Sequence, residues 1–251
     1  MKYSVVILAA GSSIRYDNKI DKILTKINSI PVIDYSLNFF LKYSCFNQII
    51  IVSSLKNFDY LSKTYSSDRV FVTIGGSNRQ QSVYKSLAYV NNDYVLIHDA
   101  ARPIISEEYI AFVISNIVRY EAITIGSKLK DTIHVSSGDS IVDIIDRNSL
   151  VKVYTPQAFK TSTILESHKQ AVNFSFLGSD DISVVSKFSN ITPFIFFSDD
   201  MNIKLTTKKL YWNQIFLKTE KYQQLPLGLP KQELILFSIF SRTIQGLPTP
   251  G

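Results

Sequence analysis

At 251 residues and 45% hydrophobic content, the chain is long enough to bury a full core, and one α/β domain of this size is ordinary. It contains no run of about 18 uninterrupted apolar residues, and its short N-terminal apolar run does not suit a signal peptide, so we expect no membrane partner. The net charge of +6 is dispersed, which argues against a nucleic-acid partner, and the single Cys45 permits no intrachain disulfide, which favours a cytoplasmic protein.

Strand-like and helix-like runs alternate through the first half of the chain. Apolar, β-branched runs predict strands at 3–8, 48–53, 70–74 and 94–98. Helices are predicted at 31–43 and 79–90, and a third begins at Ser106, with Glu107 and Glu108 in its first turn. This alternation predicts an α/β fold with a mainly parallel sheet and ligands at the carboxyl ends of the strands.

The pattern changes after a predicted strand near 122–127. Two alternating runs, 131–135 and 141–145, flank a polar stretch and predict a hairpin with a five-residue turn, projecting as an arm over about 131–147. Beyond the arm we predict helices near 162–172, after Ser179 and at 206–217, and a strand at 191–197. We therefore expect one domain over 1–220, followed by a Pro- and Gly-rich appendage of unknown role at 221–251.

The first motif lies in the first twenty-two residues. The strand-like run at 3–8 leads into Ala9-Ala10-Gly11, and Arg15 and Lys22 follow. Small residues let the backbone approach a ligand closely, and free loop amides beside two cations suit phosphate oxygens. This order suits a nucleoside triphosphate whose α-phosphorus needs charge neutralisation. The same residues are also compatible with an ordinary strand-to-helix turn carrying two surface cations.

A second motif, Gly75-Gly76-Ser77-Asn78-Arg79-Gln80-Gln81-Ser82, follows a strand and opens a helix. Paired glycines permit close backbone approach, and Arg79 and Ser82 stand one helical turn apart on the same face. Together they could read a base and hold a phosphate. The alternative is a glycine-rich turn with a capping serine.

A third motif, His98-Asp99-Ala100-Ala101-Arg102-Pro103, ends the fourth strand. A carboxylate at a strand end suits Mg²⁺ on a triphosphate, so Asp99 is the candidate metal ligand. Arg102 is expected either to touch ligand phosphate or to pair with Asp99, and a purely structural salt bridge is the alternative. We interpret His98 as a packed strand-end residue without a role in the site.

Three short motifs follow in the second half. Asp146-Arg147 closes the hairpin. In Thr155-Pro156-Gln157 we expect Pro156 to fix a turn that leaves the Thr155 hydroxyl and the Gln157 amide free to reach a polar ligand. Lys204 lies in Asn202-Ile203-Lys204-Leu205-Thr206, and taken alone it would be an ordinary solvated lysine.

Considered together, these motifs are far more specific than any one of them. Ala-Ala-Gly…Arg…Lys, Gly-Gly-x-x-Arg-x-x-Ser, His-Asp-Ala-Ala-Arg-Pro, Asp-Arg, Thr-Pro-Gln-x-Phe and Asn-Ile-Lys-x-Thr occur in this order over residues 3–217. The chain thereby resembles the 2-C-methyl-D-erythritol 4-phosphate cytidylyltransferases of the non-mevalonate isoprenoid pathway. Its Ala-Ala pair and its Asp-Arg favour this family over the related ribitol-5-phosphate cytidylyltransferases, which tend to carry Ser-Val.

The resemblance implies a Rossmann-like nucleotidyltransferase fold, with CTP as co-substrate, Mg²⁺ as cofactor and a homodimer joined through the arm. It also implies that Arg15 and Lys22 stabilise the α-phosphate, and that Arg147 and Lys204 position the acceptor phosphate, Arg147 from the neighbouring subunit. The residues that it implies for binding cytidine and triphosphate are Ala9, Ala10, Gly11, Gly76, Arg79, Ser82, Asp99, Ala100 and Thr155.

The sequence departs from the family pattern at a few positions. Ser13 stands where a second glycine is usual, and Asp21 replaces a common proline before Lys22, with which it could pair. Ser179-Asp180 replaces the Thr-Asp of the family. Asp200-Met201 precedes Asn202, where the family's chain leads more directly into Asn-Ile-Lys. Two alternatives therefore stay open: a cytidylyltransferase for another polyol phosphate such as ribitol 5-phosphate, and a nucleotide-binding protein without turnover.

Overall fold

The computed structural model describes residues 1–11, 21–198 and 202–206. The strands in chain order are β1 (Tyr3–Ala9), β2 (Lys26–Ile27), β3 (Ile30–Pro31), β4 (Phe46–Ser53), β5 (Val70–Ile74), β6 (Tyr94–Asp99), β7 (Ala122–Lys128), β8 (His134–Ser137), β9 (Ser140–Ile144), β10 (Val151–Lys160) and β11 (Phe194–Phe197). The α-helices are α1 (Val32–Leu41), α2 (Phe58–Tyr65), α3 (Arg79–Leu87), α4 (Glu107–Tyr120), α5 (Thr161–Asn173) and α6 (Asp181–Phe188). None of these helices is both long and apolar enough to cross a membrane.

Seven strands form the central sheet, in the order β11-β7-β10-β6-β1-β4-β5. The pairs of β1 with β4 and β6, of β4 with β5 and of β7 with β11 are parallel, whereas β10 runs antiparallel between β6 and β7. The mainly parallel α/β fold predicted from the sequence is confirmed. The carboxyl ends of β1, β4 and β6 consequently meet at one edge, where ligands bind in such sheets.

Both faces of the sheet are covered by helices, which explains the continuous apolar runs of the central strands. Successive side chains of a strand point to opposite faces. Val5 and Ile7 of β1 pack in a cluster with α1, α2 and α4, whereas Val6 packs in a second cluster with α3, α5 and α6. A strand buried on both faces needs apolar residues at nearly every position. In β1 only Ser4 is polar, and its buried hydroxyl donates to the side-chain carbonyl of Gln48.

The predicted strands of the first half correspond to β1, β4, β5 and β6, and the three predicted helices correspond to α1, α3 and α4. The helix α2 was not predicted from the sequence. The segment Phe58–Tyr65 is largely polar and Leu61 is its buried side chain, so it carries little apolar periodicity. In the second half, the predicted helices near 162–172 and after Ser179 are α5 and α6, and the last predicted strand is the shorter β11.

The predicted hairpin is present, formed by β8 and β9, but its turn is shorter than expected. Ser137 pairs with Ser140, so the connection is Gly138-Asp139 rather than five residues. Gly138 has φ +57°, a left-handed conformation that glycine adopts without strain and that two-residue hairpin turns require. Every residue of both strands is exposed.

The expectation of a turn at Pro156 is wrong, because Thr155 and Pro156 lie within β10. The strand accommodates proline where its register against β7 shifts, between Tyr154 and Gln157, since an irregular position does not need the missing N–H. Except for Thr206, the helix predicted at 206–217 lies outside the described residues, as does the appendage at 221–251.

Candidate active site

The carboxyl end of β6 carries the charged centre of the site. Asp99, the last residue of this strand, has Oδ2 2.7 Å from Nζ of Lys204 and 3.6 Å from Nε of Arg102. Its Oδ1 lies 3.2 Å from Nε of Arg79, at the start of α3. Three cations from separate parts of the chain therefore share one carboxylate, an arrangement that leaves excess positive charge to attract an anionic ligand.

This charge balance keeps Asp99 ionised. Burial alone would raise the pKa of Asp99, but the charges of Arg79, Lys204 and Arg102 hold it well below its usual range. Pairing with Asp99 was one of the two roles expected of Arg102, and the ion pair is present.

The segment 202–206 is held against the turn that follows β6. The guanidinium Nη1 of Arg102 donates to the carbonyl of Asn202 at 2.6 Å, and the amide of Asn202 donates to the carbonyl of Thr155 at 2.6 Å. The backbone N–H of Leu205 donates to the carbonyl of Ala101. These contacts place Lys204, which the sequence alone describes as a solvated lysine, beside Asp99.

His98 packs beneath this turn, as predicted. Its Nε2 lies 3.0 Å from the carbonyl of Arg102, which can only accept, so Nε2 carries the hydrogen. Its Nδ1 then accepts from the hydroxyl of Thr155 at 3.3 Å. Burial lowers the pKa of His98 to about 4, so the ring is neutral at physiological pH and braces the turn without adding charge.

Thr155 and Gln157 use their polar atoms inside the protein, which corrects the expectation that a turn leaves them free for a ligand. The hydroxyl of Thr155 accepts from the backbone N–H of Asp99 at 3.0 Å. The amide of Gln157 donates to Asp180 Oδ2 at 2.7 Å. Both side chains are buried. Because β10 lies beside β6, these residues support the strand end that carries Asp99.

The glycine-rich loop before α3 lies directly against the end of β1. A Cβ at Gly75 would lie 2.9 Å from Cβ of Ala10 and 2.7 Å from Oγ of Ser82, so a side chain there would push the two loops apart. The hydroxyl of Ser82 accepts from the N–H of Gly76 at 3.0 Å and donates to the carbonyl of Asn78 at 2.8 Å. Ser82 therefore holds the loop in shape, but the residue that caps α3 is Asn78 and not a serine, which was the alternative considered.

Two further candidate residues of the nucleotide site, Ala100 and Ala9, are not accessible at their backbone: one N–H is already hydrogen-bonded and the other residue is buried. The N–H of Ala100 donates to the carbonyl of Leu8 at 3.1 Å and thereby joins the end of β6 to β1. Ala9 is buried, Ala10 is half-buried and Gly11 is exposed, so the first loop becomes accessible at Gly11.

Lys22 reaches back to this first loop. A Cβ at Gly11 would lie 3.7 Å from Nζ of Lys22, so the amine lies over the end of β1. The carboxylate of the preceding Asp21 accepts from the amide of the buried Asn57 at 2.6 Å. Arg15, the other predicted contact of the α-phosphate, lies outside the described residues.

Arg147 is placed at the base of the hairpin. It begins a short 3₁₀ helix that Asp146 caps by accepting from the N–H of Asn148. The guanidinium of Arg147 is exposed, and its Nη1 donates to the carbonyl of Lys130 at 2.9 Å, across the two ends of the arm. The structure thus groups Arg79, Asp99 and Lys204 and places Arg147 apart, on the arm.

The fit of Asp99 to magnesium depends on its surroundings. Nowhere in the described ranges do three Asp, Glu, His or Cys side chains lie close enough to hold a metal ion together. Asp99 offers one ionised carboxylate whose oxygens already face three cations. This donor set fits only an ion that takes most of its oxygens from a bound nucleotide, which is how Mg²⁺ usually binds with triphosphates.

Two buried residues behind Arg79, namely Asp181 and His168, were not predicted from the sequence. Asp181 Oδ2 lies 2.8 Å from Nη1 of Arg79, and its Oδ1 lies 3.2 Å from Nε2 of His168. Asp180 was noted in the Ser-Asp motif. Asp181 directly follows it at the start of a predicted helix, and this second consecutive acidic residue is the one local signal that could have identified it. No local pattern marks His168, because its partner lies in another helix.

The fold and the cation-rich edge of its sheet define a Rossmann-like nucleotidyltransferase. The model of the 2-C-methyl-D-erythritol 4-phosphate cytidylyltransferase family matches residues 3–218, which is most of the sequence. The chain belongs to this family.

Sequence relatives carry the same family name. The 2-C-methyl-D-erythritol 4-phosphate cytidylyltransferase of Caldanaerobacter subterraneus subsp. tengcongensis is 35% identical over 227 residues, which cover 87% of this chain and 100% of the relative. That of Geobacillus kaustophilus is 35% identical over 212 residues, covering 82% and 92%.

Solved structures agree with the fold. The Francisella tularensis 2-C-methyl-D-erythritol 4-phosphate cytidylyltransferase has a TM-score of 0.73 at 25% identity, covering 89% of this chain and 100% of that chain. The Anaerococcus prevotii 4-diphosphocytidyl-2C-methyl-D-erythritol synthase has a TM-score of 0.74 at 23% identity, covering 86% and 98%, and supports the fold alone.

Proposed function

We propose that this chain transfers the cytidylyl group of CTP to 2-C-methyl-D-erythritol 4-phosphate, in isoprenoid precursor biosynthesis. An oxygen of the acceptor phosphate attacks the α-phosphorus in line, a new O–P bond forms, and the bond to the β-phosphate breaks to release pyrophosphate. Together with the family, the observation that carries this proposal is the convergence of Lys204 and Arg79 on Asp99 at the carboxyl end of β6.

The reaction needs no nucleophile from the protein, so its residues act by positioning and by charge. Lys22, over Gly11 at the end of β1, would stabilise negative charge that builds on the α-phosphate, with Arg15 as the second cation of that loop. Lys204 would hold the acceptor phosphate, and Asp99 would keep the amine of Lys204 in place. Arg79 and the backbone of the glycine-rich loop would bind the nucleotide.

Mg²⁺ is part of the proposal. Bound with CTP, it would supply positive charge at the phosphate oxygens, and Asp99 would be its protein ligand. An anionic Asp99 supports this assignment, as does its place at the strand end where nucleotides bind.

The test is pyrophosphate release by the purified full chain. CTP is compared with UTP and ATP, and 2-C-methyl-D-erythritol 4-phosphate with ribitol 5-phosphate, each with Mg²⁺ and with excess EDTA. We expect release with CTP and the methylerythritol phosphate, abolished by EDTA and restored by added Mg²⁺. Release with ribitol 5-phosphate alone would transfer the assignment to another polyol phosphate. CTP binding without release for any acceptor would support a nucleotide-binding protein instead.

We also propose that the active form is a homodimer joined through the arm. The β8–β9 hairpin exposes Ile141, Val142 and Ile144 to solvent, with 66%, 59% and 75% of their surfaces accessible. Three large apolar side chains clustered on one projecting hairpin are typical of a protein–protein contact. The partner would be a second copy of this chain, because an isologous contact buries the same patch on both subunits.

Light scattering after size exclusion tests the dimer. We expect a dimer for the native chain and a monomer for the Ile141→Glu, Ile144→Glu double variant. The matched control is Val118→Glu on α4, which changes a residue of similar exposure (57%) away from the arm. A dimer that survives the double variant, or a native monomer, would refute the arm as the contact.

A cytoplasmic location completes the proposal. Its support is the single Cys45, which has no second cysteine to pair with in this chain and suits a reducing compartment. Fractionation of cells that carry a tagged full chain tests it, and enrichment of the tag in the membrane fraction would contradict it.

A further inference from the structure

Arg79 lies between two buried carboxylates, and Asp181 is the one that the proposed reaction leaves without a role. Asp181 is the first residue of α6, and its Oδ2 lies 2.8 Å from Nη1 of Arg79. On the other side, Asp99 Oδ1 faces Nε of Arg79 at 3.2 Å. A guanidinium is planar, so two carboxylates on two of its nitrogens determine the orientation of the whole group.

The remaining nitrogen, Nη2 of Arg79, faces neither carboxylate within hydrogen-bond distance. It is buried and makes no hydrogen bond within the described residues. The side chain of Arg79 as a whole is 29% accessible, so the group borders the solvent-facing site. A guanidinium that is held in one orientation at the border of the site suits the oxygen acceptors of a nucleotide.

His168 completes the arrangement from α5. Its Nε2 lies 3.2 Å from Oδ1 of Asp181, and both side chains are buried. Burial alone would raise the pKa of Asp181, but the charge of Arg79 and the hydrogen bond from His168 hold it below its usual value. The carboxylate is therefore ionised and can only accept, so Nε2 of His168 donates.

The surroundings of His168 support the same tautomer. Its Nδ1 is buried without a hydrogen bond in the part of the chain described, so a second N–H there would have no acceptor. The ring stacks on Tyr84 of α3, with centroids 6.3 Å apart and planes within 8°. This stack fixes the ring plane, and with it the direction of the hydrogen bond to Asp181.

We propose that His168 is a positioning residue which, through Asp181, holds the guanidinium of Arg79 in the orientation that binds CTP. The nucleotide part of this statement rests on the proposed function. His168 itself touches no substrate, since Asp181 stands between it and Arg79. Without the bond from His168, Asp181 Oδ1 has lost its buried donor, and the carboxylate is free to turn away from Arg79.

Two substitutions test this proposal: one removes the N–H with which His168 donates to Asp181, and the other restores an N–H at the same place. His168→Leu removes the N–H at similar volume, whereas His168→Gln places an amide N–H at the reach of Nε2. The matched control is Ser167→Ala in the same helix, a buried residue whose hydroxyl donates to the carbonyl of Thr163. Circular dichroism and thermal unfolding establish that each full-length variant is folded. Should His168→Leu not fold, His168→Asn, whose amide is one bond too short, takes its place against His168→Gln.

Steady-state kinetics give the first readout. We expect His168→Leu to raise the KM for CTP about tenfold with a smaller change in kcat, the size typical when a supporting residue is lost. His168→Gln should stay near the native value, as should Ser167→Ala. In an Arg79→Ala background, His168→Leu should add no further loss, because the residue through which it acts is gone. Equal losses in both backgrounds would overturn the proposal.

A second readout does not need activity. The Nε–H of Arg79, identified in a ¹⁵N spectrum by its loss in Arg79→Ala, should exchange with water faster in His168→Leu and at the native rate in His168→Gln. Unchanged exchange in His168→Leu would overturn the positioning role even if CTP is the substrate. If the native chain neither binds nor turns over CTP, the proposed function fails, and the exchange rates still decide whether His168 orders Arg79.

Discussion

Nζ of Lys204 lies 2.7 Å from Oδ2 of Asp99, although 105 residues separate them in the chain. The same carboxylate meets Arg79 through its other oxygen. Asp99 therefore links the start of α3, the end of β6 and the segment after β11. A single carboxylate that orders cations from three segments predicts that its loss affects both stability and the site.

Asp99→Asn should lower the free energy of unfolding by about 3 kcal/mol at neutral pH, because three cations lose the charge that compensates them. The pKa of Asp99 is depressed in the folded state, so its contribution is complete above the ordinary carboxyl range near 3.9 and is lost as pH falls through and below it. The difference between native chain and variant should therefore shrink toward pH 3. Urea unfolding at several pH values measures the loss of stability and its dependence on pH. The control is Asp59→Asn on the exposed surface of α2, which should change the free energy of unfolding by less than about 0.5 kcal/mol. Similar losses in the two variants would show that Asp99 does not organise the cluster.

Lys22→Ala should reduce kcat far more than it weakens CTP binding. The amine lies over Gly11, where charge would build on the α-phosphate, and loss of one such preorganised donor costs about 3–4 kcal/mol, roughly a hundred- to a thousandfold in rate. Pyrophosphate release and calorimetric CTP titration separate the two effects. Lys85→Ala, an exposed lysine of α3, is the control. A near-normal kcat in Lys22→Ala would remove this lysine from the mechanism.

Arg147→Ala should mainly raise the KM for the acceptor. Arg147 lies at the base of the arm, where its guanidinium donates to the carbonyl of Lys130, and we propose that from the arm it contacts the acceptor phosphate. CTP affinity should change little, as measured by calorimetry on the same preparation. A comparable loss of CTP affinity would place the arm over the nucleotide instead.

Mixing inactive Lys22→Ala and Arg147→Ala chains tests whether Arg147 serves the neighbouring subunit. A mixed dimer would then contain one site with both defects and one with neither. Random exchange makes about half of the dimers mixed, so activity should approach about a quarter of native sites. Mass spectrometry of differently tagged chains establishes exchange first. Exchange without recovered activity would mean that Arg147 serves its own subunit.

His98 should make stability fall on mild acidification. Its pKa is lowered to about 4 in the folded state from an ordinary value near 6.5, so the unfolded chain binds the proton first as pH falls. Stability is complete above about pH 6.5 and should decline by up to about 1.4 kcal/mol per pH unit down to about pH 4. Denaturant unfolding of His98→Gln against the native chain measures this slope. The exposed His134→Gln should retain it, and a slope that survives in His98→Gln would assign the effect to another group.

Much of the fold could be predicted from the sequence because the signals are local. Continuous apolar runs such as Val5-Val6-Ile7 identify strands buried on two faces. Asn78 and Ser106 cap α3 and α4 with their own side chains, so these helix starts are encoded within a few residues. The order of charged motifs along such strands was sufficient to place Asp99 at a ligand-binding strand end.

Sequence alone did not predict what depends on partners distant in the chain. Pro156 indicates a turn wherever it stands, and only pairing with β6 and β7 makes its segment a strand. Thr155 and Gln157 were predicted to be free for a ligand because their partners, Asp99 and Asp180, are more than twenty residues away in the chain. The sequence by itself determined the family, the order of the motifs along the chain and the residues able to carry charge. The tertiary structure decided which of them meet, because an ion pair such as Lys204 with Asp99 depends on a distance that only the folded chain defines.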